Sequence, residues 1–211
     1  SGLLYPATQP VGVLPDLPGW LSSLLPEQLD MDNPLPAVKH HVVATNRDAL
    51  VAIVDAAAQR GHHAVINVEP LTGDVSTAAA RIVEHLCTAP PGLYLWGGET
   101  TVVLPDRPGE GGRNQQLALA VAIRLAETEL PVVLLAAGTD GRDGNSAATG
   151  AVVDGGSVRR GSHHGLVARE ALANADAGTF LAASGDRLVT GPTGTNVMDI
   201  VMALKQSRDQ L

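Results

Sequence analysis

The first three dozen residues show little hydrophobic periodicity and carry seven prolines, with Leu-Pro pairs around Trp20. They are expected to form an extended Pro-rich arm over residues 1–40 rather than a domain. From His41 the pattern changes. His41 to Thr45 reads as a short strand, and Thr45 or Asn46 can cap a helix from Arg47 to Arg60 whose Leu50, Ile53, Val54 stripe ends at Gly61. Ala64 to Val68 is a buried-strand pattern, and an Ala-rich helix follows Gly73-Asp74 from about Val75 to His85. Pro90-Pro91-Gly92 breaks that helix before the strand Leu93 to Trp96.

Further on, Thr100 to Leu104 reads as a strand, Gln115 to Ala126 as an amphipathic helix and Val132 to Ala136 as a buried strand. A polar Gly-rich loop, Gly138 to Gly150, follows. A second, Gly191 to Asn196, comes after the strand Leu188 to Thr190 and is expected to open the last helix. Alternating strands and helices are the signature of βαβ units. The fold class expected is α/β, a mixed, mostly parallel sheet flanked by helices, with both Gly-rich loops at strand carboxyl ends, where open α/β sheets bind ligands. The organisation expected is the arm over 1–40, a βαβ segment over 41–92 that completes a preceding domain, and an α/β domain over 93–211.

Composition sharpens this. The chain is 45% hydrophobic but only 2% aromatic, so its core is built from Ala, Val, Leu and Ile, as where helices pack on a sheet. A net charge of −8 speaks against broad capture of nucleic acid or an anionic membrane surface. No run of about 18 apolar residues marks a membrane span, and no basic segment precedes an apolar run at the start, so a cytoplasmic protein is expected. The single cysteine, Cys87, suits a reducing compartment and reads as a buried structural thiol. The pairs His40-His41, His62-His63 and His163-His164 read as solvated or core residues, since adjacent strand residues face opposite ways and no cysteine joins them.

Four strings carry candidate chemistry. Gly97-Gly98-Glu99-Thr100-Thr101 sets backbone amides beside a carboxylate; a tight turn with a solvated Glu explains it equally well. Gly109 to Gln116 is a flexible loop ending at a helix start, where free N–H groups attract anions and Arg113 adds a fixed cation. Asp140 and Asp143 stand three apart on a Gly-rich loop, hard oxygen ligands that suit magnesium, though Asx turns account for such a loop without metal. Thr190 to Asp199 offers Gly191, Thr193, Gly194, Thr195 and Asn196 to an anion, but lacks the lysine of a Walker A loop. Neither a Gly-x-Ser-x-Gly elbow nor an early Gly-x-Gly-x-x-Gly dinucleotide fingerprint is present.

In this order, Gly97-Gly-Glu-Thr-Thr, Gly112-Arg-Asn-Gln, Ala137-Gly-Thr-Asp-Gly-Arg-Asp-Gly and Thr190-Gly-Pro-Thr-Gly-Thr-Asn-Val resemble the MOFRL-type glycerate kinase family, most strongly from Leu93 to Leu204. Thr45-Asn46-Arg47 resembles the segment that precedes that domain, and Ser1-Gly2 the end of a string closing the family's amino-terminal domain. The resemblance implies transfer of phosphate from ATP, with Mg2+, to the 2-hydroxyl of glycerate or a related acid in a cleft between two α/β domains. It also implies that this chain is a carboxy-terminal portion, whose partner is an amino-terminal kinase domain bearing a lysine. Asp140, Asp143 and Arg113 become the expected catalytic residues, with both aspartates on the metal; Glu99, Asn114 and the Gly191 to Asn196 loop become substrate or phosphate contacts. A homodimer is compatible with this. The chain departs from the family pattern at Ala147, where a carboxylate is usual, at Gln116, where Glu is usual, and at Ala175-Asp176 in place of Asp-Ser. Two other readings stay open: a non-catalytic half that binds an anion or a partner, and a hydroxypyruvate reductase, which the absent dinucleotide fingerprint disfavours.

Overall fold

A computed structural model describes residues 41–207; the arm expected over 1–40 lies outside the described residues. Helix α1, Asn46–Ala58, begins in a capping box. The Thr45 hydroxyl accepts from the Asp48 amide, and the Asp48 carboxylate accepts from the Thr45 amide at 2.8 Å. Residues 41–45, expected as a strand, hold no regular structure; Val42 and Val43 are 80% and 94% exposed, and the segment serves to deliver the cap. Strands β1, Ala64–Ile66, and β2, Leu71–Asp74, follow, and Asp74 caps helix α2, Val75–Thr88.

Strand β3 runs unbroken from Gly92 to Thr101, so the two strands expected here are one, and Gly97-Gly98 lie in the ladder rather than in a turn. Gly98 has a reason to be glycine. Its φ is +134°, and a Cβ there would come within 2.2 Å of the Leu71 carbonyl oxygen on β2. Helix α3, Arg113–Thr128, leads to β4, Val132–Gly138, and β5, Gly150–Asp154. Three short helices come next, α4 (Ser157–Ser162), α5 (Ala168–Ala173) and α6 (Ala177–Ser184), then β6 (Arg187–Leu188) and β7 (Asp199–Lys205).

The final segment corrects the expectation of a helix. Ile200 to Leu204 is a short apolar run that fits either period, and its length is that of a strand. It alternates, Val201 and Ala203 facing the core while Ile200, Met202 and Leu204 are half-buried on the other side. Strand β7 enters between β3 and β4, giving the order β1-β3-β7-β4-β5-β6, with β2 also on β3. The sheet is mixed and flanked by helices, so the α/β class holds, but antiparallel pairing dominates. Only β1 and β2 run parallel to β3; β3–β7, β7–β4, β4–β5 and β5–β6 are antiparallel.

One face of the sheet carries the main core. Trp96, Leu134, Ala136, Val153, Val201 and Ala203 meet Ile82 and Leu86 of α2, Leu117, Val121 and Leu125 of α3, and the single phenylalanine, Phe180, of α6. The small Ala and Val side chains on the strands let the helices lie close, and each fully buried Leu or Ile contributes about 1.5–3 kcal/mol. On the other face α1 packs against β1, β3 and β7 through Leu50. Lys205, ending β7, donates to the Leu86 and Ala89 carbonyls at 2.6 Å each, satisfying the last turn of α2. Residues on both sides of Gly92 share this one sheet. Cys87 is exposed on α2, not buried. Among the described residues no helix is long and apolar enough to cross a membrane.

Candidate active site

Asp199, the first residue of β7, stands between Gly98, three residues before the end of β3, and Gly138, the last residue of β4. Three connections meet there: 102–112 after β3, 139–149 after β4 and 189–198 before β7. Gly138 makes the meeting possible. A Cβ on it would lie 2.7 Å from the Arg142 carbonyl, 3.1 Å from Asp140 Oδ1 and 3.5 Å from Asp199 Oδ1, so the 140–142 turn folds directly over bare backbone.

Arg113, the first residue of α3, spans the two strand ends. Its Nε and Nη2 donate to Asp199 Oδ2 and Oδ1 at 2.6 and 3.1 Å, a two-point fork, while Nη1 pairs with Glu99 Oε1 at 2.8 Å. The Asp199 side chain is 6% exposed and that of Glu99 48%. The hydrogen bond to Asp199 above all, with the charges of Asp199, Glu99 and Asp143, holds the guanidinium above its ordinary pKa, against the opposing effect of burial.

The start of α3 is an anion site, as the sequence suggests, but its anion is internal. Gly112 at the N-cap has no side chain to offer. Asp143, from the loop after β4, takes the cap's place: Oδ1 accepts from Asn114 N (3.0 Å) and Nδ2 (3.2 Å), and Oδ2 from Gln115 N (2.8 Å) and Nε2 (3.0 Å). The residue is 3% exposed; burial pushes its carboxyl above the ordinary range while the four donors pull it down. Two expected roles change as a result. Both oxygens of Asp143 are taken by N–H donors, which is not the environment of an open metal ligand, and Asn114 is buried with its amide turned onto Asp143 rather than toward a ligand.

Asp140 remains half-buried at the surface, and among the described residues its carboxylate accepts only from the Arg142 amide, at 3.0 Å. Among those residues no group of three or more His, Cys, Asp or Glu could hold a metal ion. An all-protein magnesium cage is therefore not built here. One open carboxylate fits a magnesium that keeps its waters and is shared with substrate phosphates.

The Thr-rich loop is tied to the loop after β4. Thr193 Oγ1 donates to the Thr139 carbonyl at 2.5 Å and its amide to the Asp140 carbonyl at 3.2 Å. Val197 N donates to Thr139 Oγ1 at 2.8 Å, and that hydroxyl donates to the Met198 carbonyl at 2.7 Å. Gly194, Thr195 and Asn196 are exposed and Gly191 half-exposed, with Asn196 Oδ1 accepting from Met198 N in a local turn. Beside this loop an apolar groove of about 590 Å3 is floored by Leu135, Ala137, Ile200 and Met202.

Several residues that build the site carry no site role in the sequence, although Asn46 is a candidate helix cap there and Asp176 a departure from the family pattern. Asn46 donates to the Val197 and Asp199 carbonyls at 2.7 and 3.0 Å and fills the space a Gly97 side chain would need. Asn145 holds the 109–112 loop through Gly111 N (2.8 Å) and the Gly109 carbonyl (3.0 Å), while Asp176 accepts from Glu110 N. Arg187 pairs with Glu110 and donates to Ser146 at 2.9 Å. The one available signal was Asp199, closing the Thr190 to Asp199 string; the others are solved only by long-range contacts. His62, His63, His163 and His164 are exposed and stand apart from the site.

Thus all four strings converge on the ends of β3 and β4. A glycerate 2-kinase of Pyrococcus horikoshii is 33% identical over 182 residues, covering 82% of this chain and 41% of the relative. A D-glycerate 2-kinase of Thermotoga maritima is 45% identical over 114 residues, covering 54% of this chain and 27% of the relative. The crystal structure of a glycerate kinase from Thermotoga maritima superposes with a TM-score of 0.74 at 34% identity, over 82% of this chain and 43% of that one. The chain thus spans about two fifths of the length of the Pyrococcus relative and of that solved chain. With the MOFRL family model matching residues 92–199, the stretch from β3 to the first residue of β7 that holds every one of the four strings, this chain belongs to the MOFRL family.

Proposed function

We propose that this chain is the carboxy-terminal portion of an ATP-dependent kinase that phosphorylates glycerate or a related 2-hydroxy acid. The observation that supports it most is the convergence of Glu99, Arg113, Asp140 and the Thr-rich loop on one end of the sheet, in a chain whose relatives include proteins named glycerate 2-kinase. Phosphoryl transfer asks a protein mainly for positioning and charge stabilisation. Arg113, fixed by Asp199, binds an oxyanion of the acid or of the transferring phosphoryl group. Gly191 and Gly194 let backbone approach a phosphate closely, with the Thr193 and Thr195 hydroxyls nearby. Asp140 is the carboxylate that would hold magnesium, which supplies neutralisation of phosphate charge when bound. Asp143 acts one step back, by seating the first turn of α3 and so Arg113. The remaining groups, a lysine among them, belong to an amino-terminal domain that completes the cleft.

The test is ATP- and glycerate-dependent formation of phosphoglycerate by the chain alone and after adding an amino-terminal domain of a relative. Turnover in the completed enzyme, lost in Asp140→Asn without loss of stability, is the expected result. Anion binding with no turnover in either arrangement assigns the chain instead to a non-catalytic, anion- or partner-binding role.

A further inference from the structure

We propose that Glu99 is an internal stand-in for the ligand's oxyanion: its carboxylate occupies the edge of the Arg113 guanidinium that Asp199 leaves open, and an incoming carboxylate or phosphate binds there by displacing it. The inference rests on the kinase reading for the ligand's identity; the site itself rests on geometry.

A guanidinium offers five N–H donors in a rigid fork. Asp199 holds Nε and Nη2 and has nowhere to go, being 6% exposed, pinned between Gly98 and Gly138, and tied through its own carbonyl to Asn46. Glu99 holds Nη1 under opposite conditions. Its side chain is 48% exposed near the end of β3, and Arg113 is that side chain's one polar partner among the described residues. The same cation is thus gripped by one fixed and one releasable carboxylate.

Next to it lies a cavity of about 260 Å3 lined by Arg113, Gln116 and Asn145 together with Val102 and Leu104, of a size to take a small acid. Exchange of Glu99 for a ligand oxyanion keeps every edge of the half-exposed guanidinium paired throughout. Exposed ion pairs are weak, so breaking this one lowers ligand affinity only about two- to five-fold. A single strong anion therefore displaces Glu99, whereas the Asp199 grip survives every occupant.

The experiment is calorimetric titration of the full chain with pyrophosphate and, separately, with D-glycerate, at fixed ionic strength. Glu99→Gln is expected to tighten binding about two- to five-fold for whichever probe occupies the site, with unfolding unchanged. Asp199→Asn is expected to weaken it at least tenfold, and the Arg113 Nε–Hε nitrogen resonance, shifted by its carboxylate partner in the parent, to move to its free position. Should Asp199→Asn fail to fold, Glu99→Gln alone decides. Weaker or unchanged binding in Glu99→Gln overturns the proposal, as does failure of both parent and Glu99→Gln to bind either probe. Tighter binding in Glu99→Gln from a chain whose completed form transfers no phosphate keeps this inference and removes the kinase reading.

Discussion

Replacing Asp143 by Ala tests whether this carboxylate is a strut or a ligand. The substitution removes the acceptor of four N–H groups, two of them backbone donors at the start of α3, in surroundings where Asn114 and Gln115 are 1% and 0% exposed. Loss of an ordinary helix cap costs about 1 kcal/mol, and each buried donor left unpaired about 1–3 kcal/mol. Water reaching the vacated space recovers part of this, so about 3 kcal/mol is expected. For a domain of this size that is a fall in Tm of about 6–12 °C. Asp143→Asn keeps one acceptor but turns an NH2 toward N–H donors, and should cost nearly as much. Urea unfolding followed by circular dichroism gives the value, with the slope unchanged if the unfolded state is unaltered. A loss below about 0.5 kcal/mol would refute the strut argument. So would a magnesium-dependent rise in the parent's Tm that Asp143→Ala abolishes, since that would make Asp143 a metal ligand.

Three further outcomes follow from the geometry. Gly138→Ala sets a methyl 2.7 Å from the Arg142 carbonyl, so the 140–142 turn must shift; a cost of about 1–3 kcal/mol and weaker pyrophosphate binding by calorimetry are expected. Asn46→Ala frees the Val197 and Asp199 carbonyls and should cost about 1–2 kcal/mol, with faster hydrogen exchange at Val197 and Met198 as the specific sign. Hydrogen bonds from Thr45 hold Asp48 below its ordinary pKa, so its contribution is present above the unfolded value near 4 and is lost as pH falls through the lowered folded value. Amide exchange in the first turn of α1 should therefore quicken in acid, and Asp48→Asn should erase that dependence.

Much of the frame was legible because it is written locally. The helix from Asn46, the Ala-rich helix after Asp74 and the strand at Val132 each carry their own period and punctuation, and the structure keeps them. What was misread depends on pairing. Ile200 to Leu204 becomes a strand because β3 and β4 present two open edges for it, and nothing inside five apolar residues says so. The antiparallel balance of the sheet follows from that one insertion together with the return of the chain through β5. At the site, glycine and charge marked the right loops, and Arg113 and Glu99 stand together at their meeting point. Residue type could not say which aspartate faces out: Asp140 and Asp143 look alike in sequence, and only the N-terminus of α3, 28 and 29 positions away, turns Asp143 inward.

A ribosome delivers the middle of this sheet after its flanks. While residues 199–205 are still in the exit tunnel, β3 and β4 each hold out a full row of unanswered peptide groups, the kind of border on which a second nascent chain can graft itself. Folding must bridge roughly a hundred intervening positions to seat that last ribbon beside Gly92 to Gly98, so closure is a slow, late event in synthesis. The cell's exposure to misassembly is greatest in that interval, and a holding chaperone that shields bare strand borders would matter most then.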